Sequence, residues 1–196
     1  MGFEYAKLGK IERNNIILSA LFEEFQTSSG NDLITGKIDG VDFEFCDLEL
    51  KVLDWVDENT GKECKNSVFQ GLFFVADFNK KMQDRIIVTP NSAISKNGYK
   101  KIKMDNSEFN DEFSVFGADT QQAMYILTPA LMERILRLRK LMKSPISLSF
   151  LANKIFIKID KGYDSFEPNL DKSIISANIA PRIKAELNAM FDIVKV

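Results

Sequence analysis

The chain has 196 residues, of which 45% are apolar and 28% are charged, as in ordinary globular domains. This composition excludes a disordered tail, a collagen-like repeat and a disulfide-rich miniprotein. The 26 Lys and Arg residues against 28 Asp and Glu give a net charge of -2, so no overall positive charge indicates nucleic-acid binding. The chain has no histidine, which excludes Ser-His and Cys-His catalysis and histidine-ligated metal centres.

Targeting signals and cysteine content indicate the cellular compartment. Residues 1–6 lack the charged and then apolar pattern of a signal peptide, and the longest apolar runs have five residues, whereas a bilayer span needs about 20. Cys46 and Cys64 form no motif, and two isolated cysteines are typical of a reducing compartment, although a disulfide between them stays open. We therefore expect a cytoplasmic domain that does not itself cross a membrane and that holds no cofactor.

The first predicted element is a helix within residues 11–25 that ends before Thr27. Four apolar side chains recur at the i, i+3, i+4 and i+7 spacing of one helical face. These are Leu18, Leu21, Phe22 and Phe25. The apolar run at 16–18 leaves a strand as the alternative.

Residues 33–56 are predicted to form a β-hairpin around Asp39-Gly40, a strong two-residue turn signal. On the return strand, Phe43 and Phe45 alternate with polar residues, which predicts one buried and one solvent-facing side. The apolar residues later in that strand have the opposite parity. We therefore expect a bulge or break near Cys46-Asp47.

The most apolar segment runs from residue 68 to residue 78 and has almost no polar alternation. Such a segment predicts a strand that is covered on both faces at the centre of a sheet. Two shorter strands are predicted at 85–89 and 113–116. The polar segments at 57–62 and 91–98 predict loops.

Two helices are predicted in the next part of the chain. Asp119, with a glutamine three residues later, is a suitable N-cap for a short helix. Thr128 is a suitable N-cap for a second helix, and Pro129 is favoured at its first position. This second helix is predicted to cover residues 129–143.

The C-terminal part of the chain predicts a second hairpin and a last helix. Strands at 146–151 and 155–160 are separated by three residues, 152–154, that are suitable for a turn. The tail at 172–195 has one apolar stripe of helical period, with a break or kink expected at Pro181. Because strands mostly adjoin strands in this order, the pattern favours an α+β fold with a mixed, largely antiparallel sheet. That fold has an N-terminal helix, two central helices and a C-terminal helix.

One pair of carboxylates is a candidate for chemistry. Asp42 and Glu44 are two residues apart on a predicted strand, so their side chains point the same way. Paired carboxylates can bind a hard cation or share acid–base work. The sequence supplies no third ligand and no partner base, and a solvated strand face is the simpler explanation.

Asp77, near the end of the apolar strand, is a second ligand candidate because a buried carboxylate can have a perturbed pKa. Its alternative role is an ion pair with Lys80, Lys81 or Arg85 across the following turn. Cys46 has no histidine to activate it as a nucleophile. The sequence therefore indicates no catalytic residue and no metal ligand set.

Charge is segregated along the chain. Residues 39–63 carry nine acids and two bases, and residues 105–119 carry five acids and no base, whereas the predicted helix at 129–143 carries five bases and one acid. The bases are Arg134, Arg137, Arg139, Lys140 and Lys143. Such a helix could bind anionic lipid headgroups, at about 1 kcal/mol per basic residue, or an acidic protein partner. Alternatively, it is a solvated face or lies against the chain's own acidic segments. Nucleic acid is not expected, because those acidic segments would repel phosphates.

Several segments have a characteristic sequence. Residues 69–80 read FQGLFFVADFNK, and segments within 108–134 read EFN, FSVF, AMYILTP and LMER. LSF at 148–150 and FEP at 166–168 accompany them. Together, from about residue 32 to about residue 171, they resemble the signature of the bacterial family catalogued as domain of unknown function 3137.

The resemblance implies a membrane-linked bacterial protein, because members of that family often carry hydrophobic segments upstream of this domain. It supplies no catalytic residue. The chain departs from the family at Met124, where an arginine is usual. With the resemblance, we expect one domain over 1–196, made of a helical lead-in at 1–31, a family-like core at 32–171 and a C-terminal helix at 172–196.

The sequence therefore predicts a non-enzymatic interaction domain that works at the cytoplasmic face of a membrane. Its basic helix would bind an anionic membrane surface or an acidic protein partner. The alternative is a small-ligand-binding or enzymatic domain that uses Asp77 or the pair Asp42 and Glu44. A homo-oligomer held by a phenylalanine-rich surface is a third hypothesis.

Overall fold

The structure, a computed structural model, describes residues 3–56, 63–91, 98–163 and 179–195. Within them the fold is α+β, and every strand pairing is antiparallel. The helices are α1 Arg13–Ser19, α2 Ser107–Glu112, α3 Thr120–Ile126, α4 Pro129–Met142 and α5 Ile179–Val194. The strands are β1 Phe3–Ala6, β2 Thr27–Ile38, β3 Val41–Val56, β4 Glu63–Pro90, β5 Lys100–Ile102, β6 Phe113–Gly117 and β7 Ile146–Asp160. The predicted fold class is confirmed.

The hairpin of β2 and β3 turns at Asp39-Gly40, as predicted. Both turn residues have positive φ, 50° and 85°, which is the geometry of a type I′ turn. The expected start of this hairpin was wrong, because β2 begins at Thr27 and pairs with β3 from there. The preceding helix is correspondingly short, and Leu18, expected on its buried face, is exposed.

An irregularity is present at the expected position near Cys46-Asp47, but β2 carries the extra residue, because its residues 32 and 33 lie opposite Cys46 alone. Pairing between β3 and β4 continues through this region without a register shift, and a shift lies instead on the neighbouring β2. The change in parity has another cause, since both faces of the sheet are covered by apolar side chains. Phe43 and Phe45 pack in one core, whereas Cys46 and Leu48 pack in the other.

The segment β7 folds back on itself as the predicted hairpin. A straight strand of this length would separate its two ends by about 45 Å. Instead, the amide of Asp160 donates a hydrogen bond to the carbonyl of Pro145 at 2.9 Å, so the two ends lie side by side. The chain reverses at Ala152, whose φ is 55°.

The two limbs of β4 lie on either side of this hairpin. Residues 71–77 of β4 pair with 160–154 of β7, and residues 82–88 pair with 152–148. The intervening residues 78–81 therefore arch over the tip of the hairpin. The lateral order is β1, β2, β3, the first limb of β4, the two arms of β7, the second limb of β4, β6 and β5.

This arrangement confirms the central position predicted for residues 68–78, since the first limb of β4 is paired on both sides. The second limb contains the strand predicted at 85–89. Helices α2 to α5 cover one face of the sheet, and α1 with the segment to Phe25 covers the other. Most of the sixteen phenylalanines lie in these two cores, and in the described residues Phe3 is the one exposed phenylalanine.

The predicted helix starts are confirmed where the chain is described. The Asp119 side chain accepts a hydrogen bond from the amide of Gln121, at the start of α3. In α5, Pro181 is the third residue, where its missing N–H breaks no helical hydrogen bond, so it causes no break. The loops predicted at 57–62 and for most of 91–98, and the start of the tail helix at 172–178, lie outside the described residues.

The close packing of β4 against β7 predicts the effect of adding one methyl group at Gly71. Its φ is 156°, and a Cβ there would lie 2.2 Å from the carbonyl oxygen of Ile159 and 2.8 Å from the amide of Lys161. Because both groups are backbone, Gly71→Ala should lower the free energy of unfolding by more than about 3 kcal/mol in a urea titration. Gly98→Ala, at φ 85° with open space around it, should cost only about 1–2 kcal/mol. Equal costs for the two variants would contradict the proposed packing.

Candidate interaction surface on α4

Helix α4 begins and ends as its sequence predicts. The Thr128 hydroxyl accepts a hydrogen bond from the amide of Leu131 at 3.3 Å, Pro129 occupies the first turn, and Lys143 ends the helix at φ 51°. One face of the helix packs into the core against the sheet. Its buried residues are Leu131, Met132, Ile135, Leu136, Leu138 and Met142. The predicted basic residues occupy the remaining surface.

Arg134 is held by the end of another helix. Its guanidinium donates to the carbonyl of Asp192 at 2.9 Å and to the carbonyl of Lys195. Carbonyls at a helix C-terminus lack intrahelical donors and carry partial negative charge, so a cation there stabilises the helix end. Arg134 therefore anchors α5 against α4 and is not available as a surface charge.

Two further cations pair with α2. Arg139 lies 3.8 Å from Glu112, and Lys140 lies 2.8 Å from Glu108, which accepts a hydrogen bond from it and so raises the pKa of Lys140. Both acids belong to the acidic segment 105–119, so the alternative of internal charge matching holds for these two residues. The Lys140 pair is weak, because its side chains are 72% and 61% exposed.

The other two cations, Arg137 and Lys143, are exposed and make no ion pair or side-chain hydrogen bond within the described part of the chain. Leu141 lies beside them and is 45% exposed. Arg137, Lys140 and Leu141 are neighbours on the helix surface, at the i, i+3 and i+4 spacing. We call Arg137, Lys140, Leu141 and Lys143 the α4 surface.

Sequence analysis missed a second exposed feature, a β-ribbon with an aromatic side chain. Beyond the ends of β2 and β7, residues 52–56 of β3 and 63–66 of β4 pair with each other alone in the described chain. They carry Trp55, which is 53% exposed, and Leu53. The only sequence signal was their apolar character next to a polar loop.

This ribbon lies at the same end of the sheet as the C-terminus of α4. Gly71 of β4 pairs with Asp160, whose amide bonds to Pro145, three residues after α4 ends. From Gly71 the first limb of β4 continues past that level to the ribbon. Exposed Trp55 and the cationic end of α4 are therefore features of one end of the molecule.

The candidate carboxylates lie close together at the other end of the sheet from the ribbon. Asp42, Glu44 and Asp77 line one open depression of about 430 Å³ on the face that α1 partly covers. Asp42 pairs with Lys37 at 3.0 Å, and Asp77 pairs with Lys154 at 3.6 Å. In the described residues, no group of three or more acidic or thiol side chains is arranged to hold a metal ion.

The partner expected for Asp77 was wrong, because Lys154 lies directly opposite it across the strands and supplies the cation. Lys80 instead donates to the carbonyl of Tyr125 at 3.0 Å, and burial lowers its pKa. Arg85 donates to the carbonyl of Leu18 at 2.8 Å. These contacts give Lys80 and Arg85 structural roles in joining α3 and α1 to the sheet.

Comparison of the sequence with known protein families finds one match. The family model described as Protein of unknown function (DUF3137) matches residues 67–196. The chain belongs to this family. The match covers both limbs of β4 and all of α4 and α5, whereas the resemblance seen in the sequence began at about residue 32 and ended at about residue 171.

One solved structure is similar in shape. The crystal structure of the mycobacterial trehalose monomycolate transport factor A, TtfA, matches at a TM-score of 0.49 and 7% identity, over 99% of this chain and 88% of that chain. No curated protein matches the chain. Among the described helices, none has the length and apolar character needed to span a bilayer.

The two thiols differ in environment, which predicts different reactivity. Both are free; burial raises the pKa of Cys46 to about 12, whereas Cys64 is half-buried on the ribbon. Because the thiolate is the reacting form, Cys46 should stay unmodified at pH 8 while Cys64 reacts with Ellman's reagent. One thiol per folded chain should be labelled, and the second only in denaturant. Labelling of both thiols at one rate in the folded protein would contradict this burial.

Proposed function

We propose that this chain is an interaction domain that binds an acidic partner protein through the α4 surface. The observation that carries the proposal is the exposure of Arg137 and Lys143 with no carboxylate beside them in the described residues. The other three cations of the helix are engaged within the fold, so these two are the charges left for a partner. Arginine is suited to this role because its planar guanidinium can bind a carboxylate through two hydrogen bonds.

Magnitudes favour a protein over a lipid surface. Basic residues near an anionic membrane contribute about 1 kcal/mol each, and lipid-binding clusters typically contain about four to eight of them. The α4 surface has three, and one of these is paired with Glu108. Asp54 and Glu63 on the ribbon at the same end would also be repelled by anionic headgroups.

A protein partner can contact apolar side chains as well as the cations. Exposed ion pairs contribute only about 0.2–1 kcal/mol each, so specific binding needs apolar anchors as well. Leu141 lies among the cations of the α4 surface, and Trp55 and Leu53 lie on the ribbon at the same end. Tryptophan and arginine are the residue types that most often dominate binding energy at protein interfaces.

The location at the cytoplasmic face of a membrane is part of this proposal and is supported by the family resemblance, in which hydrophobic segments lie upstream of the domain. The alternative use of Asp42, Glu44 and Asp77 is less well supported. Two of these carboxylates already have cationic partners, and the depression that they line is open.

The test is a double charge reversal on the α4 surface. At low salt the domain should bind a fluorescent hexaglutamate peptide, and Arg137→Glu with Lys143→Glu should weaken binding at least about fivefold in an anisotropy titration. Each contact is weak, but reversal replaces attraction by repulsion. The control is Lys81→Glu with Lys103→Glu, which changes the net charge equally at two exposed lysines elsewhere and should leave binding unchanged.

The proposal is overturned if the control pair weakens peptide binding as much as the α4 pair does. It is also overturned if the peptide does not bind while vesicles containing phosphatidylglycerol do. In that case the anionic membrane of the sequence-based hypothesis would be the ligand.

A further inference from the structure

We propose that the acidic partner of the α4 surface is a second copy of this chain, and that two copies pair face to face through α2 and α4. This inference rests on the proposed function and names the partner of the same surface. Residues 105–112 carry four acids and no base, whereas residues 129–143 carry five bases and one acid. The two segments together have no net charge, so the face that they form carries equal numbers of both signs.

The two signs lie on opposite sides of α4. Lys140 contacts Glu108 of α2, whereas Arg134 contacts the last residues of α5, so α4 lies between these two helices. Arg137 and Leu141 follow Arg134 at the i, i+3 and i+7 spacing and therefore lie on the α5 side of the helix. One half of the face is acidic and the other half is cationic, with Leu141 exposed in the cationic half.

Each half keeps charges that the fold does not pair. Asp105 and Asp111 are exposed and form no ion pair within the described residues. The same holds for Arg137 and Lys143, as described above. Glu133, the single acid of α4, lies one turn before Arg137, further from the C-terminal end of the helix where the other cations lie.

The lysines that precede Asp105 do not neutralise the acidic half. Ile102 and Met104 are buried in the core on the side of the sheet that α2 to α5 cover. Because side chains alternate along an extended chain, Lys101 and Lys103 project to the other face of the sheet. Neither lysine forms an ion pair in the part of the chain that the structure describes.

A face with one acidic and one cationic half is complementary to itself. In a two-fold symmetric pair, each contact that one copy makes on its partner is made by the partner in return. A two-fold axis between the two halves therefore places the cationic half of each α4 against α2 of the other copy. Four ion pairs then join the two free cations of each copy to the two free aspartates of the other. The exposed Leu141 of both copies is covered in the same contact.

The size of the face predicts a weak dimer. The 14 residues of α4 span about 21 Å, and two adjacent helices are about 20 Å wide, so about 400 Å² is covered on each copy. A total of about 800 Å² is smaller than in stable complexes and is typical of transient ones. We therefore expect a dissociation constant of about 100 µM at low salt. Because exposed ion pairs are screened by salt, the dimer should weaken steeply as the salt concentration rises.

The test is sedimentation equilibrium of the whole chain, with charge reversals in each half of the face. In about 0.01 M salt the average mass of the unmodified chain should rise towards that of a dimer above about 100 µM protein, and it should fall back in about 1 M salt. Arg137→Glu with Lys143→Glu should weaken self-association at least about tenfold, and so should Asp105→Lys with Asp111→Lys. In both variants, like charges meet across the two-fold axis.

A mixture of these two double variants is the most specific measurement. The reversed cations of one variant then face the reversed acids of the other, and the unchanged charges of both also match. The mixture should therefore associate as strongly as the unmodified chain. Damage to the fold of either variant does not produce such a recovery.

The matched control is Glu23→Lys with Glu24→Lys. This pair makes the same charge change as the aspartate pair, at two exposed acids on the face that α1 covers, and should leave self-association unchanged. The inference is overturned if the unmodified chain stays monomeric at these concentrations, if the mixture does not associate, or if the control pair weakens association as much as the aspartate pair does.

The hexaglutamate titration distinguishes this inference from the proposed function. The variant with Asp105→Lys and Asp111→Lys keeps its α4 surface and should bind the peptide at least as tightly as the unmodified chain does. A chain that binds the peptide but stays monomeric overturns this inference alone. A chain that neither binds the peptide nor self-associates overturns both.

Discussion

The packing of β4 around the β7 hairpin is the interaction on which the rest of the structure depends. The two limbs of β4 enclose both arms of β7. Each arm of β7 is therefore hydrogen-bonded to a neighbouring strand on both sides. Both faces of this sheet are covered, and the phenylalanines of β4 are divided between the two cores, with Phe73 on one side and Phe74 on the other. Gly71 is required because a Cβ at this position would clash with the backbone at Ile159 and Lys161.

This topology also decides which polar groups remain for function. Since β7 starts directly after α4, the C-terminus of α4 is fixed at the end of the sheet from which the Trp55 ribbon projects. Contacts with α2 and α5 then engage Arg134 and Arg139, and they leave Arg137 and Lys143 exposed. On the other face, α1 is too short to cover the whole sheet. One cavity, lined by Thr89, lies beside the segment that follows α1. A separate open depression, lined by Asp42, lies elsewhere on the same face.

Features that depend on local chemistry could be predicted from the sequence, and those that depend on distant partners could not. The Asp39-Gly40 turn and the Thr128 cap follow from the conformational preferences and hydrogen bonds of a few adjacent residues. In contrast, the polar residues after Thr27 form a strand only because β3 supplies the hydrogen-bonding partner. The basic character of α4 was evident, but which cations stay exposed depends on Glu108 and Glu112, which the fold brings from a separate helix.

Native-state hydrogen exchange, read residue by residue, tests the arrangement of β4 and β7 most directly. Because both arms of β7 lie between paired strands, we expect the amides of 147–151 and 155–159 to be protected throughout, at the level of global unfolding. The ribbon amides at 63–66 should exchange much faster. If alternate amides of β7 exchanged as fast as those of the ribbon, β7 would be a strand at an open edge and the proposed architecture would be wrong.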